Sequence, residues 1–180
     1  MISNQKKKVL AISGSLRKNS SNLQIIKAIK EFAFDKFDIE IYNDAGELPH
    51  FNPDLDNGNT PEIVVKFRDK IIEADGVLIC TPEYVFSLPG VLKNALEWTV
   101  STTIFSGKPV VLITASGLGG KAHEALQLIM KTIDAKFDNR LQLLISGARS
   151  KLDEKGNIKD ENTMNQIKEL IFHFEQTLNT

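Results

Sequence analysis

Residues 9–22 read VLAISGSLRKNSSN, in which a short apolar run passes directly into a polar loop that contains one glycine. The run at 9–12 is apolar at every position, as a strand covered on both faces of a sheet requires. Two further runs of this kind stand at 77–80 and 110–113. Segments with helical periodicity separate the runs. This alternation is typical of an α/β fold, with a parallel sheet that carries helices on both faces.

Two more strands complete the predicted sheet. Residues 37–42 read FDIEIY and alternate between apolar and polar side chains, so one face of this strand meets water and we expect it at a sheet edge. Residues 141–145 are apolar with polar flanks and are predicted as the opposite edge. A second strand at the edge favours the order 2-1-3-4-5 over 3-2-1-4-5. Ligands in such sheets bind beyond the carboxyl ends of the strands, where the chain reverses direction between strands 1 and 3.

Five helices are predicted between and after these strands, together with one long loop and a single domain that covers 1–180. The first helix follows Asn22, and Thr60-Pro61 is a helix start. The helices are expected at about 23–33, 61–74, 89–100, 121–135 and 167–178, and the loop at 44–59.

Composition excludes several classes of function. Among 180 residues, 22 basic and 23 acidic side chains give a net charge of −1, which disfavours nucleic acid as the main partner. The single cysteine, Cys80, excludes a disulfide framework and a cysteine-cluster zinc site, and His50, His123 and His173 are too scattered to predict a metal site. No apolar run is long enough to span a membrane, and the polar start lacks the core of a signal peptide, so we expect a cytoplasmic protein.

The loop after strand 1 has the composition of an anion site. It supplies serine hydroxyls, asparagine amides and the Arg17 guanidinium just before a helix N-terminus, where free N–H groups favour a phosphate. It is neither a Walker A loop nor a dinucleotide fingerprint, because Gly14 is its only glycine. The alternative is that Ser20, Ser21 and Asn22 only cap the helix, which leaves Arg17 unexplained.

The loops after strands 3 and 4 face the same crevice. Residues 81–90 read TPEYVFSLPG, in which two prolines bracket Tyr84 and Phe86, whose flat surfaces suit a planar ring or simply cover the sheet end. Residues 115–120 read ASGLGG, whose glycines allow close approach of the backbone to a ligand or form an ordinary turn. One phosphate and one flat ring system are the chemical outline of flavin mononucleotide (FMN).

Two stretches resemble the motifs of NADPH-dependent FMN reductases. GSLRKNSSN at 14–22 resembles the motif G-S-L-R-x-x-S-x-N, and TPEYVFSLPGVLKNALEW at 81–98 resembles P-E-Y-N-x-S-x-P-G-x-L-K-N-x-x-[DE]-W. The resemblance implies a flavodoxin-like three-layer sandwich, bound FMN, and reduction of quinones, azo compounds, chromate or free flavin at the expense of NADPH or NADH. It also implies ping-pong kinetics without a catalytic side chain, and a homodimer or homotetramer.

Carried over to this chain, the resemblance implies a set of cofactor-binding residues. The phosphate is expected at Ser15, Arg17, Ser20 and Asn22, and the ring at Pro82, Glu83 and Tyr84. The full predicted set is Ser15, Arg17, Ser20, Ser21, Asn22, Pro82, Glu83, Tyr84, Val85, Phe86, Ser116 and Gly117.

Some features leave alternatives open. Val85 replaces the usual asparagine of the family, and the loop after strand 4 is shorter than the common version. Glu83 is interpreted as a support for its loop rather than a general base, and Trp98 as either core or a face for a partner subunit.

The main rival function is a flavodoxin-type electron carrier, although such carriers tend to be strongly acidic and this chain has a net charge of only −1. A receiver domain and a Rossmann dehydrogenase are discounted, because their aspartates and glycines are missing.

Overall fold

The computed structural model describes residues 6–180 and contains one five-stranded sheet in which every neighbouring pair is parallel. The strand order is β2-β1-β3-β4-β5, as the sequence predicts. The strands are β1 (Lys7–Ser13), β2 (Phe37–Tyr42), β3 (Gly76–Thr81), β4 (Val110–Ser116) and β5 (Gln142–Ser146).

Five α-helices cover the two faces of the sheet. Four lie close to their predicted positions, whereas the last begins at Glu161, earlier than the predicted 167, because the Asp160 side chain caps it by accepting from the Thr163 N–H. Helices α1 and α5 pack on one face, and α2, α3 and α4 pack on the other. The fold is thus the three-layer, flavodoxin-like sandwich that the resemblance implies. The helices are α1 (Ser21–Phe32), α2 (Glu62–Glu73), α3 (Gly90–Glu97), α4 (Gly120–Thr132) and α5 (Glu161–Leu178).

The pattern of burial explains why these runs form strands in this order. All six residues of β3 are buried, because β3 lies at the centre of the sheet with helices on both sides. In β2, exposed Asp38 and Glu40 alternate with buried Phe37 and Ile39, as expected for an edge strand. Each fully buried aliphatic side chain contributes roughly 1.5–3 kcal/mol, so the central strands hold the two layers of helices in place.

The long loop between β2 and α2 is less irregular than its composition predicts. It contains two short 3-10 turns, at Asp44–Glu47 and Pro53–Asp56. The Trp98 indole N–H donates to the Pro49 carbonyl at 2.7 Å, and the Asn94 side chain accepts from the Phe51 N–H at 2.8 Å. Two residues of the second motif therefore hold this loop against α3.

Trp98 belongs to the hydrophobic core. Its side chain is fully buried, and it packs edge-on against Phe51 with ring centroids 5.1 Å apart. Leu92, Ala95 and Leu96 on the same helix are also buried. Of the two interpretations left open by the sequence, the structure supports core packing for this face of α3.

Candidate active site

Four loops meet at the carboxyl ends of the strands. The Gly14 N–H donates to the Cys80 carbonyl at 2.9 Å, which fixes the start of the β1–α1 loop against the end of β3. Register pairs Ser116 of β4 with Ser146 of β5, so the chain leaves both strands at the same level. The switch point of the sheet is therefore bordered by the loops after β1, β3, β4 and β5.

A cavity of about 390 Å³ lies between these loops. It lies within the size range of small-molecule sites. Nine of the twelve predicted site residues line it, namely Ser15, Arg17, Ser20, Ser21, Asn22, Pro82, Tyr84, Ser116 and Gly117. Glu83, Val85 and Phe86 do not line this cavity, and the reason lies in the shape of their loop.

Hydrogen bonds hold the β1–α1 loop in a defined shape. The Ser13 hydroxyl accepts from the Ser15 N–H and donates to the Ser15 carbonyl, both at 3.2 Å. The Ser20 side chain caps α1 by accepting from the Leu23 N–H at 3.1 Å. Ser20 therefore fulfils the capping interpretation, while the side chains of Arg17 and Ser21 have no hydrogen-bond partner within residues 6–180.

The Asn22 side chain borders the cavity but also makes hydrogen bonds within the protein. It is buried, its side-chain amide donates to the Ala115 carbonyl at 3.2 Å, and its side-chain oxygen accepts from the Cys80 thiol at 3.3 Å. These bonds tie the start of α1 to the ends of β3 and β4. Any contact with an anion comes from what remains, the second amide hydrogen or the backbone N–H in the first turn of the helix.

The β3–α3 loop contains a tight turn in an unusual backbone conformation. Tyr84 and Ser87 exchange two backbone hydrogen bonds, at 3.0 and 3.1 Å, around a two-residue turn. The turn residues Val85 and Phe86 have φ angles of 50° and 56°, and such turns favour asparagine and glycine. Val85 is 94% and Phe86 71% exposed, so the turn carries two apolar side chains away from the cavity into solvent.

Glu83 joins this loop to α4 by hydrogen bonds. Its carboxylate accepts from the Ala122 N–H at 2.9 Å and from the Gly119 N–H at 3.4 Å, at the N-terminus of α4. An acidic group there is favoured by the helix dipole. Glu83 therefore acts as the loop support that the sequence suggests, and its oxygens do not face the cavity.

Sequence reasoning missed one side of the cavity. Residues 147–150, which read GARS and follow β5, line it together with Ala115. The Gly147 N–H donates to the Gly117 carbonyl at 3.0 Å, which joins this turn to the β4–α4 loop. The available signal was the topology, because the order 2-1-3-4-5 places the end of β5 beside the end of β4.

The lining of the cavity is cationic. It includes the two guanidinium groups of Arg17 and Arg149 and no acidic residue, although the whole chain has a net charge of −1. Three other surface concavities also contain lysine or arginine, but each includes at least one carboxylate, so this cavity differs from them in the lack of an acidic lining residue. The charge of the cavity is that expected for an anionic ligand.

None of the three histidines lines the cavity, and neither does Cys80. Burial raises the pKa of the Cys80 thiol, which keeps it protonated. The His123 ring is half-buried, bonds Thr114 at 2.9 Å, and has a pKa lowered by burial, with a smaller opposing effect from Gln142. Within residues 6–180 no cluster of three potential metal ligands occurs and no helix is long and apolar enough to cross a membrane.

The sheet order and a cationic cavity at its switch point define the class of flavodoxin-like mononucleotide-binding proteins. Comparison with known proteins is consistent with this class. Residues 7–149 match the family model for NADPH-dependent FMN reductase. The chain is 34% identical over 177 residues to an NADPH:quinone oxidoreductase of Arabidopsis thaliana, with 93% of this chain and 90% of that protein covered.

Two further relatives agree in sequence and in structure. A 2-hydroxy-1,4-benzoquinone reductase of a Burkholderia species is 36% identical over 162 residues, which cover 87% of each protein. A flavoenzyme NAD(P)H:(acceptor) oxidoreductase from Paracoccus denitrificans superposes with a TM-score of 0.76 at 26% identity, over 96% of this chain and 97% of that one. The chain belongs to the NADPH-dependent FMN reductase family. It is an FMN-dependent NAD(P)H oxidoreductase.

Proposed function

We propose that this protein is a quinone reductase that binds the FMN phosphate in the β1–α1 loop and the flavin ring against the β3–α3 loop. The single observation that carries the proposal is the cationic cavity at the switch point, lined by hydroxyls and Arg17 from the β1–α1 loop and by Pro82 and Tyr84 from the β3–α3 loop. Relatives named as quinone reductases support the choice of acceptor.

The phosphate end fits a phosphate monoester. The Arg17 guanidinium and the Ser21 hydroxyl have no protein partner within residues 6–180 and border the same cavity. They lie at the start of α1, where the first N–H groups of the helix have no intrahelical acceptor. Arginine, hydroxyls and helix N–H groups together provide charge-assisted hydrogen bonds to a dianion.

The ring end offers a flat surface and open space. Tyr84 is 47% exposed at the rim of the cavity, and Pro82 stiffens the backbone beside it. A side chain added at Gly117 would meet no atom within 4 Å, so this glycine borders space that a ligand can occupy. FMN held there would supply the redox chemistry, the transfer of two electrons from NAD(P)H to an acceptor.

The β3–α3 loop keeps hydrogen-bond donors in fixed positions. The backbone N–H groups of Val85 and Phe86 are not used within the turn, since the two bonds of the turn are made by Tyr84 and Ser87. Glu83 fixes the loop to α4, and Pro82 limits its flexibility. Val85 and Phe86 lie just outside the cavity lining, so we assign these N–H groups to the stabilisation of negative charge on the edge of a ring that extends from Tyr84 toward the turn.

The remaining parts of the proposal concern kinetics and assembly. NAD(P)H and the quinone would enter in turn at the same exposed side of the site, beside Tyr84, and this would give ping-pong kinetics and tolerance of different acceptors. The exposed apolar side chains of Val85, Phe86 and Leu118 near the cavity support a homodimer or homotetramer. A cytoplasmic location agrees with the use of NAD(P)H as co-substrate.

Rapid mixing of the purified flavoprotein with NADPH tests the function. We expect the flavin absorbance near roughly 450 nm to bleach within the time of one turnover, and to recover on addition of 1,4-benzoquinone. Steady-state rates at several fixed quinone concentrations should give parallel double-reciprocal lines. Bleaching that is absent or far slower than turnover identifies an electron carrier instead, and intersecting lines contradict the ping-pong mechanism.

A pair of variants at Gly117 tests the location of the ring. Gly117→Leu fills the space beside the cavity and is expected to weaken FMN binding at least about 100-fold, a change of about 2.7 kcal/mol. Gly117→Ala adds one carbon to open space and should bind FMN nearly as well as the parent. Equal affinity of both variants would place the ring elsewhere.

A further inference from the structure

We propose that Arg149, in the turn after β5, is a second cation on the FMN phosphate and makes the site selective for FMN over riboflavin. The inference deepens the proposed function and rests on it, because it assumes that FMN occupies the cavity. Arg149 lies outside both motifs of the resemblance. It follows β5, the edge strand that β3 and β4 separate from β1, and it lines the same cavity as the β1–α1 loop.

The backbone after β5 brings Arg149 to the cavity. Gly147 turns the chain with a φ of 65°, its N–H bonds the Gly117 carbonyl, and the Ser150 hydroxyl closes the turn by donating to the Gly147 carbonyl at 2.8 Å. Ala148 is buried in the core beneath the turn. With Ala148 anchored below, the neighbouring Arg149 and Ser150 are left at the lining of the cavity.

Arg149 differs from other cations near it because no carboxylate pairs with it within residues 6–180. Lys151, two residues further on, lies 3.7 Å from Asp160. Arg140, at the other end of β5, lies 2.6 Å from Asp138. Arg149 shares its cavity with Arg17 and with no acidic side chain.

Two guanidinium groups around one cavity require a matching anion. A phosphate monoester carries about −1.5 to −2 charges at pH 7, which balances two arginines, whereas a single arginine leaves part of that charge unpaired. Riboflavin has the same ring and no phosphate, so it gains nothing from either arginine. The second cation therefore raises affinity for FMN selectively.

A phosphate monoester could come from FMN or from the 2′-phosphate of NADPH. We assign Arg149 to FMN, because it borders the same cavity as Arg17 and the α1 N-terminus. The two sources are separated experimentally by measuring flavin affinity directly and by comparing NADPH with NADH.

The test is a titration of the full chain, from which flavin has been removed, with FMN and separately with riboflavin. Quenching of the flavin fluorescence measures binding. Arg149→Gln is expected to weaken FMN binding about tenfold and to leave riboflavin affinity unchanged. Arg149→Lys should recover part of the loss. Arg140→Gln is the matched control, since it removes the same group at the opposite end of β5, and it should leave the affinity for both flavins unchanged. The difference between Arg149→Gln and the parent should shrink at high salt, because Arg149 is exposed.

Three outcomes would decide against the inference without affecting the proposed function. Unchanged affinity for both flavins in Arg149→Gln overturns it, and so does an equal fold loss for both flavins. A rise in KM for NADPH but not for NADH, with unchanged FMN affinity, assigns Arg149 to the 2′-phosphate instead. Arg17→Gln in the same titration reports on the proposed function, because failure of that variant to weaken FMN binding places the phosphate outside the cavity.

Discussion

The β1–α1 loop and the β3–α3 loop border the same cavity and are stabilised in opposite ways. The first is polar and is held by its own side chains, since Ser13 and Ser20 bond neighbouring backbone groups. The second has an exposed apolar turn with two residues at positive φ, and its support comes from Glu83 bonded to α4. The side chains of the first loop stabilise it by bonding its own backbone, whereas the side chain that stabilises the second, Glu83, bonds a separate helix.

The difference follows from what each loop must present. A phosphate site needs several donors at once, so a polar loop whose internal bonds leave Arg17 and Ser21 free is well suited. A ring site needs a flat surface and fixed backbone donors. Its apolar side chains therefore make no hydrogen bonds that could stabilise the loop. Local backbone strain is then tolerated because the surroundings hold the loop in place.

The largest expected effect is at Asn22, whose bonds tie the start of α1, directly after the β1–α1 loop, to the ends of β3 and β4. Asn22→Leu removes a buried amide and leaves the Ala115 carbonyl and the Cys80 thiol without their partner, which should lower the free energy of unfolding by about 3 kcal/mol. Chemical denaturation measures this change.

Ser21→Ala is the matched control for Asn22. The Ser21 hydroxyl has no protein partner in the described chain, so this variant should keep its stability while losing affinity for FMN. A comparable loss of stability in both variants would contradict the division of the loop into structural and ligand-facing residues.

A third loop, between β2 and α2, is also held by a contact with a helix, because Asp56 in the loop forms a largely buried ion pair with Arg68 on α2. The Asp56 carboxylate is bonded by both Arg68 terminal nitrogens, at 2.9 and 2.7 Å, and its side chain is only 6% exposed. Asp56→Asn should lower the free energy of unfolding by about 2 kcal/mol and leave FMN affinity unchanged, since Asp56 is remote from the cavity lining.

The same residue predicts a dependence on pH. Hydrogen bonding to Arg68 lowers the pKa of Asp56 from 3.8 to about 2, with burial opposing and the bonds from Ser101 and Thr60 adding to the shift. A carboxylate with a lowered pKa stabilises the fold above its unfolded value and loses that contribution as the pH falls. The stability difference between the parent and Asp56→Asn should therefore be constant above about pH 5 and shrink between pH 4 and 2. A difference that does not change down to pH 2 would show that the ion pair contributes nothing.

The outside support of the β3–α3 loop is tested at Glu83. Glu83→Gln keeps one acceptor but removes the negative charge at the α4 N-terminus, and should cost about 1 kcal/mol of stability. Because the loop would be less firmly held, FMN binding should also weaken a few-fold. Glu124→Gln is the control, since it removes an exposed carboxylate of the same helix whose only ion-pair partner within residues 6–180 is Lys121. A loss of flavin reduction without any change in stability or FMN affinity would instead favour a catalytic role for Glu83.

Much of this arrangement could be predicted from the sequence, because it depends on local patterns. The apolar runs, the alternation in β2 and the two motifs gave the strand order and most of the cavity lining. The commitment of Asn22 to Ala115 could not be predicted, since it depends on a partner 93 residues away. Arg149 was missed because GARS matches no motif, and only the adjacency of β4 and β5 brings it to the site.

The smallest expected effect, and the one opposite in sign, is at Val85. A β-branched residue at a φ of 50° is strained, whereas asparagine tolerates this region because its side chain can bond the local backbone. This explains why the motif that the chain resembles has asparagine at the position of Val85. Val85→Asn should raise the free energy of unfolding by roughly 0.5–1 kcal/mol, measured by thermal or chemical denaturation, without a loss of FMN affinity. Val100→Asn, at another exposed apolar position, should bring no gain of this kind. If Val85→Asn is no more stable than the parent, the positive φ at Val85 has no measurable cost, and the two backbone bonds of the turn and the Glu83 contact with α4 are sufficient to hold it.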